Sequence, residues 1–216
     1  MSETMLDHAD RSPFQMLQSV LNWLTSSTGR AFVVIFILAF GLRVHSLTKY
    51  PSEYLIPVNR EIGAIAYYIV ENGQFANPYA LATGPTAHLP PIPPAILALV
   101  YSLFGRTKMT GYVFMGFIMM TNSIMYAMLP WVGDRLGIGK KAGFIAGMAG
   151  AFMLELEWST HGEGLAGILL GIMLVGFLAR WNKEQDSLLD WMILLLAGAE
   201  IMHLVIPKSQ DSYSPA

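Results

Sequence analysis

Residues 59–94 decide how this chain is read. They run Asn59-Arg60-Glu61-Ile62-Gly63-Ala64-Ile65-Ala66-Tyr67-Tyr68-Ile69-Val70-Glu71-Asn72-Gly73, then Gln74-Phe75-Ala76-Asn77-Pro78-Tyr79. After a short link come Thr83-Gly84-Pro85-Thr86-Ala87-His88-Leu89-Pro90-Pro91-Ile92-Pro93-Pro94. The first part predicts a short amphipathic helix: Asn59 is an N-cap residue, Glu61 falls in the first turn, and Ile62, Ile65, Ala66 and Ile69 recur at helical spacing. Gly73 stands where a C′ glycine closes a helix. The second part carries six prolines between Pro78 and Pro94. It can be neither a regular helix nor a central strand, and an ordered loop of this kind is where function concentrates.

Outward from this stretch the chain is apolar. Of 216 residues 54% are hydrophobic and 13% charged, and mean hydropathy is positive. A soluble domain carries about a quarter charged residues, so the expected class is an all-α integral membrane protein. The formal charge of −2 gives no electrostatic case for nucleic acid. The absence of cysteine excludes disulfides, zinc-thiolate sites and thiol catalysis and says nothing about redox compartment. Met1 to Asp10 contains Glu3, Asp7 and Asp10 and no cation, the wrong charge for a signal peptide, so targeting falls to the first spanning helix.

Five segments are apolar enough to cross a bilayer: 31–47, 111–132, 142–158, 164–180 and 187–206. Segment 92–105 is too short to cross and predicts a membrane-surface or re-entrant helix. With five spans and the N-terminus inside, seven basic residues fall on the cytoplasmic side and five outside, Arg43 lying within the first span. Counting 92–105 as a span reverses that bias and violates the positive-inside rule. Residues 1–30 then form a cytoplasmic tail, 31–206 one transmembrane domain, and 207–216 a polar extracytoplasmic tail. The large outer loop, 48–110, carries two juxtamembrane amphipathic helices that roof the outer ends of the spans.

Ser12-Pro13 starts a further helix with Phe14, Leu17, Val20, Leu21 and Leu24 on one face. It reads either as interfacial, with Trp23 at headgroup level, or as docked on a partner subunit. Gly143-x-x-x-Gly147 and Gly167-x-x-x-Gly171 predict close packing of the third and fourth spans against each other as a tight hairpin.

Several polar groups are candidates for chemistry, each beside a structural account. Glu61 is either a general base in a partly desolvated groove or a first-turn carboxylate that favours the helix dipole. Glu155, Glu157, His161 and Glu163, expected at the outer helix ends, either pair with Arg60, Arg106 or Lys108 or take part in donor-phosphate or metal chemistry by holding a divalent cation, although their spacing matches no standard ligand set. Glu200-x-x-His203 has the i, i+3 spacing of di-metal bundles, but one such motif is insufficient, and a polar contact with a neighbouring helix is the expected role. His88 caps a turn or touches a phosphate. No metal is expected.

The run Asn59 to Ala66, Gly73-x-Phe75, Asn77-Pro78-Tyr79 and Thr83-Gly-Pro-Thr-Ala-His-Leu-Pro-Pro-x-x-Pro94, leading to Leu103-Phe104-Gly105, resembles the first outer loop of bacterial family-39-like glycosyltransferases of the GT-C superfamily. Asp134 to Lys141 looks like the basic loop after their second span. The resemblance covers about 31–180 and implies a bacterial cytoplasmic membrane location. It places Glu61 where that family has its proposed catalytic base, acting on a polyprenyl-phosphate sugar. Arg60, His88, Arg106 and Lys108 would then hold phosphate or acceptor. Arg60-Glu61 stands where many relatives pair Asp with Glu, and relatives have eleven or more spans. The expectation is therefore a shortened GT-C-like protein serving as a structural or accessory subunit of a larger membrane complex, without its own catalysis or cofactor. The alternative is a polyprenyl-phosphate-sugar transferase with Glu61 as base.

Overall fold

In a computed structural model, residues 12–49, 61–79, 82–86, 89–153 and 163–181 are described. All regular structure among them is helical: α1 (Pro13–Thr25), α2 (Thr28–Leu47), α3 (Glu61–Asn72), α4 (Ile92–Phe104), α5 (Lys108–Ala127), α6 (Leu129–Arg135), α7 (Lys140–Ala151) and α8 (Glu163–Trp181). Two of these are long and apolar enough to cross a membrane, α2 and the continuous Lys108–Arg135 rod formed by α5 and α6. The apolar stretches Ile92–Phe104 and Gly164–Ala179 are shorter.

The rod is the axis against which the others pack. Early α2 (Ala31, Ile35) meets late α5 (Tyr126, Ala127), while Phe40 and Leu47 meet Met115 and Met119, so α2 is antiparallel to α5. Pro130 sits near the α5–α6 junction, where it has no N–H to donate to the Tyr126 carbonyl four residues earlier.

Glycines set the distances of α7 and α8. A Cβ on Gly143 would collide with the Leu129 carbonyl oxygen and lie 2.7 Å from Pro130 Cα, and one on Gly147 would lie 2.7 Å from the Tyr126 oxygen. On α8, a Cβ at Gly167 would strike Met125, and one at Gly171 would lie 2.8 Å from Met128 Cε. Both small-residue motifs thus face the rod, not each other as the hairpin reading expected. The rod offers bare main chain at Leu129–Pro130 and flexible methionines at 125 and 128, which accept close approach.

The third expected span, 142–158, is helical only to Ala151. There Phe152 N–H donates to the Ala149 carbonyl and Met153 N–H to that of Gly150, the tightened turn that ends a helix. Residues 154–162 lie outside the described part, as does the whole of the fifth expected span, 187–206.

Residue Arg43 of α2, fully buried, completes this end. Its Nη1 donates to the carbonyls of Ala39 (3.1 Å) and Ala151 (3.4 Å), its Nη2 donates to that of Met153 (3.3 Å), and its Cζ lies 5.1 Å from the centre of the Tyr126 ring. A cation from one helix thereby satisfies the carbonyls that the C-terminus of another leaves open.

Candidate functional site

The second expected outer-loop helix is present as α4, 13 residues long. At 1.5 Å per residue it extends about 20 Å, short of the roughly 30 Å hydrocarbon core. Its prolines fall in the first turn, where the missing N–H has no helical partner to lose. Gly105 closes it at φ 66, its N–H donating to the Tyr101 carbonyl at 2.8 Å. The Thr110 hydroxyl donates to the Gly105 carbonyl, and the chain turns directly into α5.

This turn folds α4 back along α5. Leu97, Ala98 and Tyr101 share one core with Phe114 and Ile118 and with Ile62, Ile65 and Ala66 of α3. Ile118 is about 15 Å along the helix from Lys108, so the α3–α4 pair lies against the flank of the rod. It does not roof the ends, because the apolar faces of both short helices find their cover there. Each large apolar side chain buried in this way contributes about 1.5–3 kcal/mol.

As expected, α3 ends at Gly73, in a left-handed conformation at φ 67, with its N–H on the Ile69 carbonyl at 2.9 Å. The loop that follows is pinned across its base. Asn77 N–H donates to the Gly84 carbonyl (3.0 Å) and Thr86 N–H to that of Phe75 (3.3 Å), while Gly84 N–H donates to Asn77 Oδ1 at 2.7 Å. Asn77 itself adopts φ 54, a conformation asparagine tolerates better than most residues. The Asn77-Pro78-Tyr79 and Thr83-Gly84-Pro85 motifs, separate in sequence, are thus two sides of one closed turn.

Glu61 begins α3 and is half-buried, positioned to favour the helix dipole by about 0.3–1 kcal/mol. Arg106, in the α4–α5 turn, lies with its Cζ 4.4 Å from the centre of the Tyr67 ring of α3. Tyr67 is six residues beyond Glu61, about 9 Å along the axis. Lys108 opens α5 and is exposed. Tyr101 is 5% exposed, and its hydroxyl has no hydrogen-bond partner among the described residues. Burial raises its pKa above the ordinary 10.0, and the Arg106 charge opposes that rise.

The structure therefore gathers Tyr67, Tyr101 and Arg106 at one end of the α3–α4 pair. Of these, sequence reading anticipated only Arg106. A cation one residue past a helix-closing glycine was the available signal; its aromatic partner on another helix was not predictable from spacing. Arg60, His88, Glu155, Glu157, His161, Glu200 and His203 lie outside the described residues, and Glu163 is the first residue of α8. Among the described residues no three His, Asp or Glu side chains converge as a metal site would require. No family model, curated protein or solved structure matches the chain.

Proposed function

We propose that this chain is a GT-C-like integral membrane protein that acts as a structural or accessory subunit of a larger membrane complex. One observation carries the non-catalytic reading: five buried polar side chains, Thr25, Arg43, Thr110, Thr121 and Ser123, donate to main-chain carbonyls. Arg43 ties α2 to the end of α7. Thr25, Thr121 and Ser123 donate to carbonyls three or four residues earlier in their own helices, and Thr110 donates to Gly105. The Arg43 bonds fix one helix against the end of another, the rest close within their own helix or turn, and none engages a reactant. Purification in mild detergent after cross-linking tests the proposal: a stoichiometric membrane partner is the expected result, and a monodisperse monomer with no cross-linked partner overturns it.

The proposed orientation puts the α4–α5 turn outside and the α6–α7 loop in the cytoplasm of a bacterial inner membrane, as the distribution of basic residues favours. Single cysteines at Lys108 and Lys140 test it in a chain without native thiols. A membrane-impermeant maleimide added to intact cells should label position 108 and spare 140; the reverse pattern refutes the orientation.

The second reading, a polyprenyl-phosphate-sugar transferase, is favoured by the half-buried position of Glu61 at the start of α3, with Arg106 held over the same helix. A carboxylate there can accept an acceptor proton while Arg106 and Lys108 neutralise the donor phosphate. Under this reading Glu61→Gln abolishes sugar transfer while lowering stability by no more than about 1 kcal/mol. Transfer at the unmodified rate removes Glu61 from the mechanism.

A further inference from the structure

The end of the bundle formed by the start of α2, the α6–α7 loop and the start of α7 carries a helix that is mostly outside the core. α1 begins with a complete capping box: the Ser12 hydroxyl accepts from Gln15 N–H, and the Gln15 side chain accepts from Ser12 N–H. This local closure lets the first turn stand without tertiary support. At its other end α1 is fastened. Leu21 and Leu24 pack on the Ala31, Ile35 and Phe144 core. Arg30 donates to the Trp23 carbonyl (2.7 Å) and to Ser26 Oγ (3.0 Å) and stacks on the Trp23 ring at 4.1 Å.

Between these two ends the apolar stripe continues past the edge of the bundle. Phe14, Leu17 and Val20 share the face of Leu21 and Leu24 at helical spacing, yet they are 72%, 66% and 54% exposed. Gln15, Gln18, Ser19 and Asn22 lie on the opposite face. On α2, the next helix in the chain, Val33 and Ile37 are also exposed. Among the described residues, the start of α2, the end of α6 and the start of α7, on which Leu21 and Leu24 rest through Ala31 and Phe144, carry four cations, Arg30, Arg135, Lys140 and Lys141, and one carboxylate, Asp134, which pairs with Lys140 at 3.6 Å. An exposed apolar helix face anchored beside a cationic cluster is complementary to a surface that is apolar inside and anionic at its boundary.

We propose that α1 docks along an anionic phospholipid surface, its Phe14, Leu17 and Val20 stripe entering the acyl boundary while Arg135, Lys140 and Lys141 engage lipid phosphates. The helix spans about 20 Å, and Arg30 fixes the corner from which it leaves the bundle. This inference rests on the proposed membrane embedding and not on the accessory-subunit role. A lone monomer in detergent would defeat that role and leave α1 docking intact.

The test uses the full chain carrying Val20→Cys, labelled with an environment-sensitive fluorophore, in nanodiscs of phosphatidylcholine alone or with one third phosphatidylglycerol. Acrylamide, a neutral quencher, reads exposure without responding to surface charge. The label should be shielded in the anionic discs and accessible in the neutral ones. Arg135→Gln with Lys141→Gln should weaken docking by roughly twenty-fivefold, about fivefold per charge. A label at Leu103 on α4, at the other end of the bundle, should not respond to lipid charge and confirms that the variants remain folded. Equal quenching in both discs overturns the proposal. So does equal shielding in both, which would leave docking to apolar insertion alone. Shielding that appears only with a co-purified protein overturns it in favour of a protein partner.

Discussion

Replacing Arg43 by alanine is expected to cost about 3–5 kcal/mol, because it removes two charge-assisted bonds to another helix and empties the space beneath Tyr126. The carbonyls of Ala151 and Met153 would lose the donor that reaches them from α2, in surroundings where Ala39 and Ala151 are fully buried. Arg43→Lys should recover only part of the loss, since one ammonium cannot reproduce the planar fork that reaches both Ala151 and Met153. Unfolding in mixed micelles with increasing dodecyl sulfate, followed by circular dichroism, measures both variants. A midpoint for Arg43→Ala equal to that of the unmodified protein would show that this guanidinium does not hold α7 in place.

Gly143→Ala should be nearly as damaging for a different reason. The added methyl group meets main chain, the Leu129 carbonyl oxygen and Pro130 Cα, and neither can rotate away as a side chain can. Separation of α7 from the rod is the only relief, at a cost of about 3 kcal/mol. Gly41 supplies the contrast. Its Cβ would meet nothing within 4 Å, so Gly41→Ala should stabilise α2 by up to about 1 kcal/mol through helix propensity alone. The same unfolding assay should separate the two alanines in opposite directions. Similar midpoints for both would mean that α7 does not pack on α6 at this distance.

How the α3–α4 region divides between sequence and structure follows from the range of the interactions involved. Periodicity and end signals are local, so the apolar face Ile62, Ile65, Ala66 and Ile69, the closure at Gly73 and the short helix after the proline cluster could be read directly. The same holds for the start of α1 at Ser12-Pro13. The apolar face of α4 needed a cover, but periodicity does not say which surface provides it. The flank of α5 supplied that cover, and the pair lies beside the rod and not over its end. In the candidate site, Glu61 was legible as a first-turn carboxylate. Tyr67, Tyr101 and Arg106 meet only because two helices and a turn are packed together.

Sequence by itself determined that the described part of this chain is helical and apolar, where α1, α3, α4 and α8 lie to within a residue or two, and that Gly143, Gly147, Gly167 and Gly171 mark close approach, though not Gly150 or Gly164. The tertiary structure alone decided what those glycines approach, since Gly143 and Gly167 both face the α5–α6 rod. It also decided the use of Arg43, whose acceptors lie 108 and 110 positions away in the chain. A charge in an apolar segment announces in sequence that it must be satisfied. Its partners are fixed by which helix terminus the fold brings beside it, and no local pattern carries that information.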